Sequence, residues 1–365
     1  MTKLKTFQER LKTNDFPNPA PFETPEQCQA AYEAGMPFVS PDPEGEEMLE
    51  DYVKQQGGSY NGEEVAYGNN FAGAADGKDV VLLYQEAYKA SGVDDWIQGN
   101  PAQQVGDCVS HSTRNALMLS LACQVTNGNG GWPTDIPPDS YKKMTAFTTV
   151  PLYLTRSNAP GHGWSCPTSV TNASKYMGMV VAKDYSNVAG VGVDYSNYSG
   201  SQTTKFGRGF PPNDYITPLS GHKVTSSCKV SGLENLLDML ASGFACTTCG
   251  GESWATGSSA RNSDGYAKRT SKGWSHALCY YGFVRTKEWM DKYGSVGIII
   301  GNSWGASSCG GNRKIMGRDD LPQLPKNCWI APWKDCKNRH VTAVSAVNGW
   351  PPAKLKDGSV IRGLI

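Results

Sequence analysis

Apolar residues recur at helical spacing in the segment CVSHSTRNALMLSLACQVT, which begins at Cys108. The polar, glycine-rich run of residues 126–131 ends the pattern, and such runs are typical of loops. The spacing therefore predicts a helix with Cys108 at its N-terminus. The positions that share one face of this helix are Val109, Ser112, Ala116, Leu119 and Cys123.

Two apolar runs in the last third of the chain predict buried strands. GWSHALCYYGFV places His276 before a run of residues that favour strands, so we expect His276 at the start of a strand. VGIIIGNSWG is a second apolar run, and it ends at Asn302. If the strands are neighbours, the Asn302 amide oxygen can accept the imidazole N–H and fix its tautomer. Trp304 would then cover that hydrogen bond from water.

The first hundred residues are interpreted as an extension that carries its own short helices. The Gly/Asn-rich residues 57–77 predict a loop between the second helix and the third. The acidic run at residues 44–51 is interpreted as a solvated helix face. The predicted helices are residues 24–35, residues 46–56 and Asp79–Ser91, the last with Asp79 as its cap and Gly92 as its stop.

The charge of the chain is balanced, because 34 lysine and arginine residues accompany 34 aspartate and glutamate residues. This balance gives no general attraction to nucleic acid or to an anionic membrane, so neither is expected as a partner. The N-terminus lacks the apolar run of a secretory signal, and no stretch of ~18 apolar residues predicts a membrane span. We therefore expect no export by the usual signal route and a cytoplasmic location.

Eleven cysteines are many for a reducing compartment, but their number is odd and their spacings form no repeated framework. The CxxC pair of Cys246 and Cys249 has no second pair at zinc-finger spacing. The sequence therefore predicts no metal site. These cysteines are interpreted as small buried packing residues or as one local disulfide.

Cys108 has two interpretations, a packing residue or a nucleophile. At a helix N-terminus, the N–H groups and the helix dipole stabilise a thiolate, and with a nearby histidine they bring a thiol pKa from about 8.5 into the range ~3.5–7.5. Asp107 opposes this effect by its charge, although it can cap the helix. A nucleophile also needs a base. His276 is the candidate, whereas His111 is interpreted as a packing residue and His162, His222 and His340 as surface residues.

Cysteine at a helix start, His-Ala at a strand and Asn-Ser-Trp-Gly after the next strand occur in this order in the papain family of cysteine peptidases, which this sequence resembles. Asp95-Trp96 resembles the start of the mature peptidase. GHGWSC, which contains Gly163, and the following segment resemble the family's Gly-rich segment and helix. LENLLDMLASGFACTTC resembles the helix and strand that precede the family's histidine. The resemblance covers roughly residues 95–310.

The resemblance implies an α+β fold of the papain-like type, with a helical lobe, an antiparallel β lobe and the active-site cleft between them. It divides the chain into an N-terminal extension (1–93), a catalytic domain (94–325) and a C-terminal appendage on the β lobe (326–365). It also implies a Cys108–His276–Asn302 triad that hydrolyses peptide bonds through a thioester, without a cofactor. Trp304, Gly163 and Trp274 would line the cleft or shield the triad.

The sequence departs from the family pattern around the nucleophile. The family usually has glutamine six residues before the cysteine, where this chain has Ala102. Gln104 or Gln103 could supply the side-chain donor of the oxyanion hole beside the backbone N–H of Cys108. The long separation of Cys108 and His276 also implies inserted loops around residues 187–225, which would shape the cleft or contact a partner.

Two other functions remain open at this point. The Gly-Asp-Cys and histidine arrangement is loosely similar to CHAP-type amidases, which cleave peptidoglycan peptides, and such an enzyme could be a virion protein carried in a phage particle. A structural protein could also retain the fold without turnover, although it would have no need of the complete triad. The extension could inhibit the enzyme as a propeptide does, or make protein assembly contacts.

Overall fold

The computed structural model describes residues 71–93, 96, 100–104, 107–137, 140, 144–147, 149, 179–188, 191–207, 222, 224–305, 308–336, 340–347 and 350. The helices predicted at residues 24–35 and 46–56 lie outside these ranges, as do Gly163 and residues 164–178 after it. The described residues form a mixed helix and sheet structure. None of their helices combines the length and the apolar character that crossing a membrane requires.

The helices and strands follow one another along the chain in a mixed order. The helices are α1 (Leu83–Ser91), α2 (Cys108–Thr126), α3 (Gly200–Gly207), α4 (Leu233–Ala241) and α5 (Lys287–Tyr293), with a short 3-10 helix at Trp333–Asp335. The strands are β1 (Val80–Leu82), β2 (Val224–Val230), β3 (Cys246–Trp254), β4 (Gly257–Arg261), β5 (Arg269–Val284), β6 (Gly297–Gly301), β7 (Cys309–Gly311), β8 (Cys328–Pro332) and β9 (His340–Val347).

The predicted helix at Cys108 is confirmed with both of its ends. α2 runs from Cys108 to Thr126, and every residue from Cys108 to Gln124 is buried. A helix that is buried on all sides is enclosed by the rest of the protein. Ser112 forms hydrogen bonds to Thr247 and to the carbonyl of Leu278, so α2 packs directly on β3 and β5.

The start of the helix predicted at Asp79 is wrong, although its end is right. Residues 80–82 form strand β1, which pairs with the end of β5, and the helix begins only at Leu83. Valines 80 and 81 favour a strand when an edge is available for pairing. Gly282 makes that edge accessible, because a side chain at this position would collide with the carbonyl of Val81. Gly92 ends the helix in the left-handed conformation, as predicted.

The main sheet is antiparallel and holds seven strands in the order β2-β9-β3-β5-β6-β8, with β1 paired to β5. A small parallel pair of β4 and β7 lies apart from it. The apolar core packs between this sheet and the helices α1, α2 and α4. β6 and β8 are buried along their whole length, which agrees with their continuous apolar sequences.

The main sheet contains strands from all three of the segments expected from the sequence, the N-terminal extension, the catalytic domain and the C-terminal appendage. β1 lies before residue 93, while β8 and β9 lie after residue 325, and all three are strands of the main sheet. β8 pairs with β6 over five residues from Gly297 to Gly301, and β9 lies between β2 and β3. Residues on both sides of the expected boundaries therefore contribute to the same hydrogen-bonded structure.

Candidate active site

His276 and Asn302 lie side by side because their strands are neighbours. β5 and β6 pair in antiparallel fashion, with Cys279 opposite Gly301, and Asn302 directly follows β6. His276 lies in the middle of the long strand β5, not at its start as expected, because β3 pairs with the residues on both sides of it. The Nε2 atom of His276 is 2.9 Å from Oδ1 of Asn302. Since a carboxamide oxygen only accepts, this contact assigns the proton to Nε2 and makes Nδ1 the acceptor of the neutral ring.

The Asn302 side chain and backbone are both held in place. Its Oδ1 also accepts from the Ser303 backbone N–H at 2.8 Å, and its Nδ2 donates to Ser308 Oγ at 3.3 Å. Asn327 forms two hydrogen bonds to the Asn302 backbone. Its carbonyl accepts from the Asn302 N–H and its Nδ2 donates to the Asn302 carbonyl, each at 2.9 Å. These contacts fix which end of the amide faces His276. No local sequence pattern indicated Ser308 or Asn327.

Trp304 packs against His276. The two ring centroids are 4.5 Å apart and the planes are inclined by 36°, while His276 itself is 0% exposed. Burial lowers the pKa of His276 from 6.5 to about 3, the nearby His111 lowers it as well, and the Asn302 hydrogen bond opposes both effects. His276 is therefore neutral at neutral pH, which suits a group that accepts a proton.

Cys108 is the first residue of α2. It carries a thiol and is 0% exposed. Cys108 and Ser112 share one face of α2 and are about 6 Å apart along its axis, while His276 and Leu278 share one face of β5 and are about 7 Å apart. Ser112 contacts Leu278, so the two offsets bring the first turn of α2 towards His276. The influence of His111 on the His276 pKa agrees with this placement.

The two glutamines before Cys108 have different surroundings. Gln103 is buried and its backbone N–H donates to the Ser303 carbonyl at 2.7 Å, while Ser303 Oγ donates to Gln103 Oε1 at 2.6 Å. Gln104 is exposed, and its Oε1 accepts from the Gly200 N–H at 2.9 Å. Gln103 is therefore tied to the segment that follows Asn302, whereas Gln104 is tied to the start of α3.

A second buried polar cluster surrounds the residue before Cys108. Asp107 accepts a hydrogen bond from Tyr198 Oη at 2.9 Å and lies 3.4 Å from Nε2 of His111. Arg114 Nη2 lies 3.4 Å from Nδ1 of His111, and the guanidinium also donates to Asn115. Burial lowers the pKa of Arg114 to about 10, so it remains charged at neutral pH. The sequence did not indicate Arg114 or Tyr198.

Trp274 and Cys246 are two other residues that the sequence singled out in β5 and β3. Trp274 lies two residues before His276 in β5, opposite Glu252 of β3, and its side chain lies outside the description. Cys246 is a buried thiol in β3. Within the described ranges, no group of three or more histidine, cysteine or acidic side chains could hold a metal ion.

No family model and no curated protein matches this chain. Among solved structures, it is similar to digestive procathepsin L 3 from the larval midgut of Tenebrio molitor, with 14% identity, a TM-score of 0.36 and coverage of 93% of this chain and 99% of that one. It is also similar to procathepsin B S9 from Trypanosoma congolense, with 11% identity, a TM-score of 0.41 and coverage of 86% and 99%. A structure from work on the mite allergens Blo t 1 and Der p 1 matches at 12% identity and a TM-score of 0.38, covering 94% and 100%. With scores this low, the assignment of function rests on the residues of the site.

Proposed function

We propose that this chain is a papain-like cysteine peptidase that hydrolyses peptide bonds with Cys108, His276 and Asn302. The observation that carries the proposal is the buried 2.9 Å contact of His276 Nε2 with Asn302 Oδ1. It fixes the tautomer whose Nδ1 can accept a proton, as a base for a thiol requires. The thiol of Cys108 at the start of α2 supplies the nucleophile, and the complete set argues against a purely structural role.

The chemistry follows from these roles. Cys108 Sγ transfers its proton to Nδ1 of His276, and the thiolate attacks the acyl carbon of the substrate. A carbon–sulfur bond forms as the carbonyl becomes an oxyanion, and His276 then gives the proton to the leaving amine as the carbon–nitrogen bond breaks. Water, deprotonated by His276, attacks the thioester, releases the carboxylic acid product and restores the thiol. Asn302 keeps the imidazole aligned through each transfer.

Gln103, not Gln104, is proposed as the side-chain donor of the oxyanion hole. Ser303 Oγ holds the Gln103 carbonyl oxygen, which turns its Nε2 donor away from Ser303. The same interaction ties Gln103 to the residue after Asn302. Gln104 instead engages Gly200. The second donor is the backbone N–H of Cys108, and one such donor contributes on the order of 10²–10³ in rate.

The proposed architecture has α2 heading a helical lobe, with the main sheet forming the β lobe and the cleft between them. Residues 1–93 would act as a regulatory or docking extension, and residues 326–365 would stabilise the β lobe. The same chemistry could act on polypeptides or on the peptides of peptidoglycan. Nothing in the described residues favours the second substrate or a place in a phage particle.

The test is alkylation of the intact protein with iodoacetamide at pH 6, followed by peptide mapping. We expect Cys108 to react at least 10-fold faster than Cys309, whose pKa is raised to about 12 by burial. His276→Ala should remove that advantage. His222→Ala is the matched control, because His222 is a buried histidine at a different place, 2.8 Å from Asp135. Equal rates at Cys108 in wild type and in His276→Ala would overturn the proposal.

A further inference from the structure

One hydroxyl group holds both ends of the short segment that precedes the proposed nucleophile. Tyr198 Oη accepts from the Gln104 backbone N–H at 2.8 Å and donates to Asp107 Oδ2 at 2.9 Å. Two residues further on, the Gly200 N–H donates to Gln104 Oε1 at 2.9 Å. Residues 198–200 therefore act on the chain immediately before Cys108 through three hydrogen bonds.

The Tyr198 ring also contacts the first turn of α2. It meets the ring of His111 edge to face, with the centroids 4.8 Å apart and the planes inclined by 77°. Burial, and next the charge of Asp107, raise the pKa of Tyr198. The hydroxyl therefore stays protonated and keeps donating to Asp107 across the physiological range.

Asp107 occupies the cap position of α2 without capping it. An aspartate at this position ordinarily accepts hydrogen bonds from the first N–H groups of its helix. Here the structure shows no side-chain cap bond from Asp107, and the carboxylate instead contacts Tyr198 and His111. A carboxylate over the helix N-terminus would repel an oxyanion bound there and cancel the favourable helix dipole.

We propose that Tyr198 is a positioning residue for the oxyanion hole, which acts by engaging the Asp107 carboxylate so that it makes no hydrogen bond to the first N–H groups of α2, and by fixing the segment that presents Gln103 and the Cys108 N–H. This inference rests on the proposed peptidase function and adds a residue from the segment between the two catalytic motifs. Tyr198 touches no reacting atom. It acts through Asp107 and Gln104.

Two reagents separate this role from thiolate formation. Iodoacetamide alkylates a thiolate without forming an oxyanion, whereas p-nitrophenyl acetate acylates it through a tetrahedral oxyanion that the hole must bind. Both rates are measured at Cys108 in the full-length protein, by mass spectrometry and by nitrophenolate release. The ratio of acylation to alkylation therefore reports the oxyanion hole alone.

Tyr198→Phe should lower the acylation rate by about 10- to 100-fold, which is the range expected when a reacting group is misplaced by about 1 Å. Its alkylation rate should change less than 3-fold. Tyr185→Phe is the matched control, because Tyr185 is a buried tyrosine of the neighbouring segment that packs on Tyr195. It should leave both rates unchanged.

A double-mutant cycle with Asp107→Asn tests the route of the effect. If Tyr198 acts through the Asp107 charge, Tyr198→Phe should lower the acylation rate less in the Asp107→Asn background than in the wild type, because the charge that Tyr198 restrains is then absent. An unchanged acylation-to-alkylation ratio in Tyr198→Phe, or equal losses in both rates, would overturn the inference. Neither of these results would contradict the proposed peptidase function. That proposal fails only if His276→Ala leaves the reactivity of Cys108 unchanged.

Discussion

Two buried histidines near the start of α2 have similar surroundings and different partners. His276 places Nε2 at 2.9 Å from the Asn302 amide, and His111 places Nε2 at 3.4 Å from the Asp107 carboxylate. The His276 ring packs on Trp304 in a tilted arrangement, and the rings of His111 and Tyr198 meet edge to face. Burial is the main cause that lowers the pKa of each ring. Burial alone therefore does not distinguish a proposed catalytic histidine from a structural one.

The two histidines differ in where their contacting side chains lie in the sequence. The contacts of His111 are local in sequence: Asp107, four residues before it, lies 3.4 Å from Nε2, and Arg114, three residues after it, lies 3.4 Å from Nδ1. Asn302 comes from the next strand, and its amide is oriented by Ser303 and Ser308. A neutral amide directs the ring without adding a charge. The His276 site is thus built to keep the imidazole neutral and aligned, whereas the His111 cluster stabilises the start of α2.

The largest effect should come from removing each histidine in turn. His276→Ala should lower the acylation rate of Cys108 by p-nitrophenyl acetate by on the order of 10³ or more, because the general base is lost. His111→Gln should lower the rate less than 10-fold and should mainly lower the melting temperature. Nitrophenolate release and thermal unfolding are measured on both variants. A larger loss of rate in His111→Gln than in His276→Ala would reverse the roles given to the two rings.

The second prediction concerns Asn302, the hydrogen-bond partner of His276. Asn302→Ala removes the acceptor of the buried His276 N–H, which should lower the acylation rate about 10- to 100-fold and cost about 1–3 kcal/mol of stability. Asn302→Asp imitates the Asp107 partner of His111 and should raise the pKa of His276, because a carboxylate favours the imidazolium. The acid limb of the Cys108 alkylation profile should then move to higher pH.

The exposed Asn312 offers a control for this substitution. Asn312→Ala removes a surface amide that accepts from the Lys314 N–H, and it should leave both the rate and the pH profile as in the wild type. An acid limb that stays in place in Asn302→Asp would mean that Asn302 does not set the protonation of His276.

The smallest effect should appear in stability as a function of pH. Both histidines have folded pKa values below the unfolded value of 6.5, so the unfolded chain binds more protons as the pH falls. The free energy of unfolding should therefore decrease from about pH 6.5 downwards, and for His276 the loss should extend to about pH 3. Each histidine contributes a slope of at most about 1.4 kcal/mol per pH unit.

Urea unfolding at pH 7 and pH 5 measures this slope. His276→Gln should reduce the difference between the two pH values, since it removes one of the two titrating groups. The comparison of wild type with variant cancels the carboxylates that also titrate in acid. An identical slope in the two proteins would show that His276 is not held neutral by burial.

Local patterns in the sequence predicted the parts of the site that depend on neighbours along the chain. The ends of α2 follow from apolar spacing and the glycine-rich run after Thr126, and the left-handed Gly92 follows from its position after a helix. The end of β6 at Gly301 placed Asn302 correctly, because a continuous apolar run stops there. Such signals need no knowledge of distant residues.

Contacts between distant segments required the tertiary structure. Whether residues 80–82 form a strand depends on the edge that Gly282 leaves open, and β8 and β9 became part of the main sheet by pairing with β6, β2 and β3. The different surroundings of Gln103 and Gln104 depend on Ser303 and Gly200, which lie far away in the sequence. Tyr198 contacts Asp107 in the same manner. Periodicity indicates which face of a helix or strand is buried. Hydrogen bonds between polar side chains depend on which distant segments the folded chain brings together. A local sequence pattern does not contain that information.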